Sequence, residues 1–454
     1  MGSNPKLTFY PYGSHLLNNV LKPVCSEHGG IARSLLITPL RYADDISIKT
    51  LVTQMPAYHK VLLGPQMEIN YHLSGYGMFF EEALIRLVGE SIERYSLLIA
   101  PYVFSDRICY ASYDDIAQTG RVIPIQYLQL YSDEDYRKLN SGLYTCMRRP
   151  ERDDIIGWIK CQSLFECNTE IWVPVQMLFV GYQVNHKQGE VAFCPGFSTG
   201  TAAHTDFLMA LRNALLESIE IDALMLRWYA DMKARAVVID ELTTRTLLPD
   251  LFKSNSHYQV LALDIRVLEE VQAHVLASIV INKREARPFI TLGAHADLEP
   301  VHALYRSLME ALAISVLGIY GPLYLPKQFM SPASSFTDLD SNVAFFASPD
   351  NAQEKRQVIE KLVDGRIPLS AMQNYDTGDT QANTTALIEQ LSKVSQYGVS
   401  LDITPPETRS RGWKVMRVFV PELVTMCVPG VPYGCHPRLN AYGGIRNRHP
   451  HPLP

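Results

Sequence analysis

Two stretches of this chain end in the same tetrapeptide: Ala83-Leu-Ile-Arg-Leu-Val-Gly-Glu-Ser-Ile-Glu93 and Ala210-Leu-Arg-Asn-Ala-Leu-Leu-Glu-Ser-Ile-Glu220. In both, an Ala-Leu pair lies seven residues before the first glutamate of the tetrapeptide, within an apolar helical pattern. A third stretch keeps the spacing, because Ala303-Leu304 lies seven residues before Glu310. The repeat predicts three helices of one design, related by an ancient duplication and packed around one site.

The paired glutamates indicate a metal site. Residues i and i+3 share a helix face, so Glu90 and Glu93 point the same way, as do Glu217 and Glu220. Acidic pairs beside an apolar face repel each other and lose hydration, so they persist where a cation or a basic partner compensates their charge. We therefore expect an oxygen-lined metal site where the helices meet. The alternative is that these acids are solvated helix ends.

Composition limits the class of protein. The chain has 454 residues, 47% of them hydrophobic, and a formal net charge of −6 without a basic block, which disfavours sequence-independent nucleic-acid binding. No signal peptide is visible at the start, and the longest apolar stretch, 311–320, is too short to span a bilayer. Eight scattered cysteines without a Cys-x-x-Cys motif are typical of free thiols. We expect a cytoplasmic protein that binds neither nucleic acid nor membrane.

Periodicity predicts an α+β (mixed α/β) fold. The acidic helices are expected at about 80–96 and 206–233, with Asp206 as a cap, and Pro300 suits the first turn of the third. Runs rich in β-branched and aromatic residues predict strands at 96–104, 121–130, 170–180, 190–194 and 413–421. The runs 258–264 and 275–281 fit either a strand or a buried helix. The polar segment 364–385 predicts a mobile loop, and 440–454 lacks a core-forming pattern.

Other motifs narrow the chemistry. The chain has no P-loop motif and no His-Glu-x-x-His, and hard oxygen ligands without clustered His or Cys favour Mg²⁺ over Zn²⁺. Arg94 could pair with a phosphate or with a neighbouring acid. Gly196-Phe-Ser-Thr-Gly200 matches the elbow of serine hydrolases, but the helical pattern starts several residues too late for that elbow. A structural turn and a loop that cradles a nucleotide phosphate are the other interpretations of this segment.

Taken in order, these motifs resemble the YcaO family over about residues 74–454. The matching pieces are Gly75-Tyr-Gly77, Ala83-Leu84, Gly89-Glu-Ser-Ile-Glu-Arg-Tyr-Ser96, Ser198-Thr-Gly-Thr-Ala-Ala-His204, Leu215-Leu-Glu-Ser-Ile-Glu-Ile-Asp-Ala223 and Pro450-His-Pro-Leu-Pro454. The resemblance implies a YcaO-like fold with mixed sheets and three acidic helices around one nucleotide site. It also implies three regions: 1–70 as a possible partner contact, 71–421 as the ATP-binding domain, and 422–454 as a tail.

The Pro-x-Pro-x-Pro ending is similar to that of the azoline-forming cyclodehydratases, the D proteins of thiazole/oxazole-modified microcin biosynthesis. These convert Cys, with Ser and Thr as further candidates, into thiazolines and oxazolines by phosphorylating the backbone amide oxygen of a ribosomal precursor peptide. The resemblance implies ATP and Mg²⁺ as cofactors. It implies as partners an ocin- or E1-like leader-binding protein and an FMN dehydrogenase, with a homodimer inside a larger complex.

The resemblance also assigns the site residues. It places Mg²⁺ on Glu90, Glu93, Glu217 and Glu220, and it gives nucleotide binding to these four together with Arg94, Ser198, Thr199 and Glu310. It makes Pro450, Pro452 and Pro454 of the tail the catalytic residues. Because a proline-rich tail is stiff and can place its end, the α-carboxylate of Pro454 is a candidate for the base. The usual alternative for such an end is disorder.

Three positions depart from the family pattern. Tyr76 stands where Lys is common, Ile221 stands where Arg is common, and Ala313 with an apolar run follows Glu310 where Gln and Arg are frequent. A non-catalytic YcaO-like scaffold and a YcaO enzyme that makes thioamides or amidines are therefore the alternative functions.

Overall fold

The computed structural model describes residues 21, 24–26, 30–37, 48–58, 60, 73–142, 144, 146–239, 257–324 and 336–454. The N-terminal block 1–70, predicted as a possible partner contact, lies largely outside these residues.

The described strands form three sheets. In chain order they are β1 Leu36–Ile37, β2 Lys49–Thr53, β3 Leu73–Gly77, β4 Cys109–Ala111, β5 Arg121–Val122, β6 Ile156–Ser163, β7 Glu170–Pro174, β8 Thr201–His204, β9 Ala234–Val238, β10 Tyr258–Asp264, β11 His274–Asn282, β12 Ile290–Asp297, β13 Val363–Pro368, β14 Val399–Asp402 and β15 Lys414–Phe419. The sheet orders are β1-β2-β3, then β12-β11-β10-β9-β13, then β5-β7-β6-β14-β15-β8 with β4 beside β6. Pairing is antiparallel except between β13 and β9 and between β5 and β7.

The described α-helices connect and cover these sheets. They are α1 Phe80–Val103, α2 Tyr113–Thr119, α3 Asp133–Asn140, α4 Val175–Leu178, α5 Phe207–Tyr229, α6 Pro300–Tyr324, α7 Ser341–Ala347, α8 Ala352–Lys361, α9 Thr380–Leu391, α10 Pro406–Arg409 and α11 Pro437–Ala441. The fold is the mixed α/β architecture that the sequence predicts.

The three acidic helices each follow an edge strand of a different sheet. Strand β3 precedes α1, β8 precedes α5, and β12 precedes α6, and each of these strands lies at the end of its sheet order. Helix α1 packs on β2 and β3, α5 on β8 and β15, and α6 on β11 and β12. Helix α5 also contacts β12, and α1 contacts β8. The predicted threefold repeat is therefore a repeat of a strand–helix unit, with one unit in each sheet.

The starts of the second and third helices are as predicted. The Asp206 side chain accepts a hydrogen bond from the Met209 backbone N–H at 2.9 Å, which satisfies one of the unpaired donors of the first turn of α5. Helix α6 opens with Pro300, where the missing N–H has no intrahelical partner to lose.

Glycine allows strand β12 to approach α6 closely. A Cβ built on Gly293 would lie 2.5 Å from the Ala311 backbone N and nearer still to the Ser307 carbonyl oxygen, and both of these are backbone atoms of the helix. Neither atom can rotate away, so strand and helix have to separate to admit a methyl group.

We therefore expect Gly293→Ala to lower the free energy of unfolding by about 1–3 kcal/mol, the usual cost of an overpacked core. Urea denaturation measures this change. Gly89→Ala is the matched control, because Gly89 lies within α1 and a methyl group added there would meet no atom within 4 Å. At that position we expect a gain of roughly 0.5–1 kcal/mol from helix propensity. Equal stability of the two variants would contradict the close approach of β12 to α6.

Several local predictions are wrong. Residues 96–103 continue α1 rather than forming a strand, and only Arg121–Val122 of the run 121–130 belongs to a strand. The run 170–180 changes from β7 to α4 after Pro174, and 190–194 contributes one isolated bridge at Ala192. The segment 364–385 holds the rest of β13 and the start of α9, and 372–379 between them has no helix or strand, so the predicted loop is too long. The two ambiguous runs are the strands β10 and β11.

The C-terminal segment belongs to the main core. Val424, Tyr433, Leu439 and Leu453 are buried members of the same cluster that contains the core side chains of α5. Within 440–454, where the sequence has no core-forming pattern, Leu453 is buried in this cluster and Tyr442 and Ile445 pack against it.

Helix α6 is the one described helix that is long and apolar enough to cross a membrane by length and composition. Its most apolar window, within Pro300–Leu323, has a mean hydropathy of 1.3, and 56% of that window is buried inside the protein. Because α6 packs along β11 and β12, core packing accounts for its apolar composition.

Candidate active site

The three strand–helix units surround one large cavity. Its volume is about 2970 Å³, and its described lining includes every glutamate of the repeat: Glu90, Glu93, Glu217, Glu220 and Glu310. Arg94, Ser198, Thr199 and Pro454 line the same cavity. The structure thus brings together all the predicted nucleotide and metal residues, from segments more than 200 residues apart in the chain.

Each unit holds its glutamate with the same hydrogen bond. The carboxylate accepts from the backbone N–H of an edge-strand residue sixteen positions earlier: Ser74 to Glu90 at 3.0 Å, Thr201 to Glu217 at 3.1 Å, and Ala294 to Glu310 at 2.8 Å. Glu220 accepts from Ala296 of β12 at 2.9 Å, which joins the second unit to the third. These four bonds satisfy edge-strand N–H donors and fix the carboxylates at the wall of the cavity.

Burial raises the pKa values of the carboxylates in this cluster. Burial raises the pKa of Glu217 to about 7, with Arg94 acting against this and Glu220 adding to it. Burial likewise raises the pKa values of Glu220 and Glu310 to about 8. The pKa of Glu93 is raised well above its ordinary value by burial, with contributions from Glu217 and Glu90. A divalent cation would supply the positive charge that this cluster lacks.

Oxygen-only donors at this density fit Mg²⁺, which prefers a few carboxylates together with substrate phosphates. Two arginines give the site a second feature of a phosphate pocket. Arg212 and Arg306 line the cavity, and each keeps a buried Nε atom without a hydrogen-bond partner among the described residues. Unused guanidinium donors beside a carboxylate cluster suit a metal-bound polyphosphate.

Metal binding should be linked to pH. The pKa values of Glu217, Glu220 and Glu310 are raised from their ordinary value of 4.5 to about 7–8. These groups therefore stabilise the metal-free fold fully at a pH below 4.5, and the stabilisation is lost as pH rises through about 7–8. Mg²⁺ must expel the same protons. We expect the apparent Mg²⁺ affinity to increase steadily between about pH 6 and pH 9, with proton release on binding. Calorimetry in buffers of different ionisation enthalpy measures both, and a pH-independent affinity would contradict protonated carboxylates.

Arg417 holds the loop before β8 in place through hydrogen bonds to its backbone carbonyl groups. This buried side chain donates from Nη1 to the Thr199 carbonyl oxygen, and from Nη2 to those of Phe197 and Met177 at 2.9 and 3.2 Å. Burial lowers the pKa of Arg417 to about 10, and Glu217 and Glu93 act in the opposite direction. Arg417 therefore shapes the loop that carries Ser198 and also faces the acidic cluster.

The serine-hydrolase interpretation of this loop does not fit. Strand β8 separates Ser198 from α5, so the serine does not sit on a turn that leads straight into a helix.

The tail is ordered and reaches the cavity. His451 and Leu453 are 0% and 4% exposed, and Leu453 and Pro454 line the cavity. The buried Asn342 side chain donates from Nδ2 to the carbonyl oxygens of His451 and Leu453, both at 2.7 Å. The Trp228 indole donates to the His449 carbonyl oxygen at 2.8 Å. Pro450 and Pro452 are buried and are absent from the described lining, so a catalytic contribution from them would act through the placement of Pro454.

Residues 74–424 match the family model described as YcaO cyclodehydratase, ATP- and Mg²⁺-binding. The chain belongs to the YcaO family. The predicted family and the predicted cofactors, ATP and Mg²⁺, are confirmed by this match. No curated protein matches the chain at significant similarity.

Solved structures share the fold of this YcaO protein. A heterocyclase in complex with substrate and cofactor gives a TM-score of 0.70 at 18% identity, covering 91% of this chain and 52% of that chain. The E. coli microcin synthetase McbBCD complex gives 0.62 at 13%, covering 95% and 99%. YcaO from Methanopyrus kandleri bound with AMPPCP and Mg²⁺ gives 0.58 at 15%, covering 86% of each chain. This chain therefore spans about half the length of the heterocyclase, and at these identities the likeness concerns the fold.

Two arginines of this YcaO protein lie near the positions that depart from the family pattern. Arg86 donates to the Tyr76 carbonyl oxygen at 2.8 Å, and its guanidinium lies 5.6 Å from the Tyr76 ring centre. Arg306 acts to lower the pKa values of both Glu220 and Glu310. Neither arginine was predicted as a site residue, although each stands four positions before a repeated glutamate, at Glu90 and Glu310.

Proposed function

We propose that this chain is an ATP-dependent cyclodehydratase that converts Cys, and by the same chemistry Ser or Thr, of a ribosomal precursor peptide into thiazolines or oxazolines. The single observation that carries the proposal is the meeting of three repeated glutamate units and the C-terminal tail at one cavity. The family match supports the reaction class. The size of the cavity, about 2970 Å³, leaves room for a peptide beside a nucleotide.

In the proposed reaction, the thiol or hydroxyl of the substrate residue attacks the preceding backbone carbonyl carbon. When bound, ATP would supply the phosphoryl group that turns the amide oxygen into a leaving group, with Mg²⁺ neutralising the phosphates. The four paired glutamates would hold the metal, and Glu310, Ser198 and Thr199 would complete the nucleotide pocket. Arg94, Arg212 and Arg306 would donate to phosphate oxygens.

We propose that the tail acts at the reacting bond of the peptide and not in nucleotide binding. Asn342 fixes two tail carbonyl groups, and Pro454 follows them in the lining of the cavity. A group placed in this way can assist proton transfer or exclude water from the reacting bond. Pro450 and Pro452 would contribute by stiffening the approach.

We also propose a cytoplasmic complex around this chain. It would contain an ocin- or E1-like partner that binds the leader peptide and an FMN dehydrogenase that oxidises azolines to azoles, with this chain as a homodimer, as in thiazole/oxazole-modified microcin or bacteriocin biosynthesis. The likeness to the McbBCD microcin synthetase complex, nearly complete over both chains, supports this proposal.

The test is product mass with the assembled complex, ATP and Mg²⁺. We expect the loss of one water per ring, with turnover that depends strongly on the leader-binding partner because that partner concentrates and orients the peptide. A sulfur-for-oxygen exchange would indicate a thioamide enzyme. A complex that processes its peptide without ATP turnover by this chain would indicate a scaffold. Equal processing with and without the partner would contradict the proposed partner dependence.

A further inference from the structure

A second group of metal-ligand side chains lies on the cavity wall beside the glutamates. His295, Asp297 and His302 each offer one ligand atom, and these atoms all lie within 4.8 Å of one another. His295 and Asp297 occupy the end of β12 two positions apart and so share a face of the strand, while His302 lies in the first turn of α6. All three line the cavity.

This group is not part of the threefold repeat. Counted back from the repeated glutamate, the positions of His295, Asp297 and His302 correspond to Ala202, His204 and Met209 in the second unit, and to Gly75, Gly77 and Glu82 in the first. Since only the third unit carries the group, the packing of a strand–helix unit does not require it.

The two ring nitrogens of His295 lie beside different carboxylates. Its Nδ1 lies 3.4 Å from Oε2 of Glu220, and its Nε2 lies 4.0 Å from Oδ2 of Asp297, so both ring nitrogens face carboxylate oxygens. A neutral imidazole has one N–H, which leaves the other nitrogen with a lone pair directed toward a carboxylate. His302 approaches the same Asp297 oxygen with its Nδ1 at 2.7 Å. With the N–H on Nδ1, toward Glu220, the Nε2 lone pair lies on the side of Asp297 and His302, where one metal ion would meet all three side chains.

We propose that His295, Asp297 and His302 bind one divalent transition-metal ion, with Zn²⁺ as the best match. Imidazole nitrogen favours Zn²⁺ and Co²⁺ over Mg²⁺, so this site differs in kind from the oxygen-only glutamate cluster. Zinc needs ligand atoms at about 2.0–2.2 Å from the metal. The proposal requires a small adjustment of His302, whose side chain is 47% exposed. A fourth position remains open toward the cavity, and the site does not depend on the proposed cyclodehydratase activity.

Co²⁺ is a direct probe, because low-coordinate Co²⁺ bound by nitrogen absorbs visible light far more strongly than octahedral Co²⁺ bound by oxygen. The metal-free full-length chain is titrated with Co²⁺ in excess Mg²⁺, which occupies the glutamates. We expect one equivalent of strongly absorbing Co²⁺, displaced by Zn²⁺. His302→Ala and Asp297→Asn should each weaken this binding by at least about 10-fold.

The matched control is His204→Gln, which changes another cavity histidine at the repeat position of Asp297 and should leave the Co²⁺ spectrum unchanged. Circular dichroism confirms that each variant is folded. Three results would overturn the proposal: no Co²⁺ binding in excess Mg²⁺, a spectrum unaffected by His302→Ala and Asp297→Asn, or a spectrum lost in His204→Gln instead.

Discussion

Glu217→Gln should reduce ATP turnover by more than about 100-fold while the protein stays folded. Loss of a direct metal ligand should exceed the 10- to 100-fold effect of losing a group that only orients a ligand. The amide can still accept the hydrogen bond that Glu217 receives from the Thr201 N–H at 3.1 Å, so the strand–helix unit keeps its contact. The measurement is phosphate release in the presence of Mg²⁺ and the assembled partners.

This variant has a second signature that misfolding cannot imitate. Burial raises the pKa of Glu217 to about 7, so at higher pH the wild-type protein carries a repelling charge that Gln lacks. We expect metal-free Glu217→Gln to melt at the wild-type temperature or above it near pH 8, although the variant's ATP turnover in Mg²⁺ is strongly reduced. Glu389→Gln, an exposed change on α9, is the matched control and should alter neither property. Wild-type ATP turnover in folded Glu217→Gln would refute the metal assignment.

Removal of Leu453 and Pro454 should reduce ring formation by about 100-fold or more, the range for a group that assists proton transfer. Both residues line the cavity, whereas nucleotide affinity depends on glutamates held by other elements. We therefore expect AMPPCP binding in Mg²⁺ to change by less than about 3-fold, a difference under 1 kcal/mol. Peptide mass and calorimetry on the same sample separate the two effects.

Asn342→Ala is the companion variant, because it loosens the tail without shortening it. Loss of the two 2.7 Å hydrogen bonds to the His451 and Leu453 carbonyl groups should cost about 1–3 kcal/mol of stability. Ring formation should fall to a level between those of the wild-type and shortened chains. If both variants formed rings at the wild-type rate, the tail would be a packing segment only.

The sequence predicted the parts of the site but not how they meet. Glu90, Glu217 and Glu310 were found because a helix repeats its face every three to four residues, and that periodicity is local. The common hydrogen bond from sixteen residues upstream was not foreseen, because it depends on each preceding strand being the edge of a sheet. The order of strands in a sheet depends on contacts between distant parts of the chain, and a single sequence does not show these contacts.

The secondary-structure predictions that are wrong have local causes. Residues 97–101 are apolar on every side because this part of α1 is buried, which removes the helical period and imitates a strand. Segment 364–385 is polar, yet the Asp379 side chain caps α9 by accepting from the Gln381 and Ala382 N–H groups. His295, Asp297 and His302 follow no familiar ligand motif, so only the turn from β12 into α6 reveals them as a cluster.

The most direct test is the fate of the substrate's amide oxygen. A precursor peptide labelled with ¹⁸O in the backbone carbonyl preceding the modified Cys is processed by the assembled complex with unlabelled ATP in ordinary water. If ATP bound among Glu90, Glu93, Glu217 and Glu220 activates that oxygen, the released phosphate will carry the label, one atom per ring. Unlabelled phosphate, with the ¹⁸O released as water, would contradict the proposed reaction.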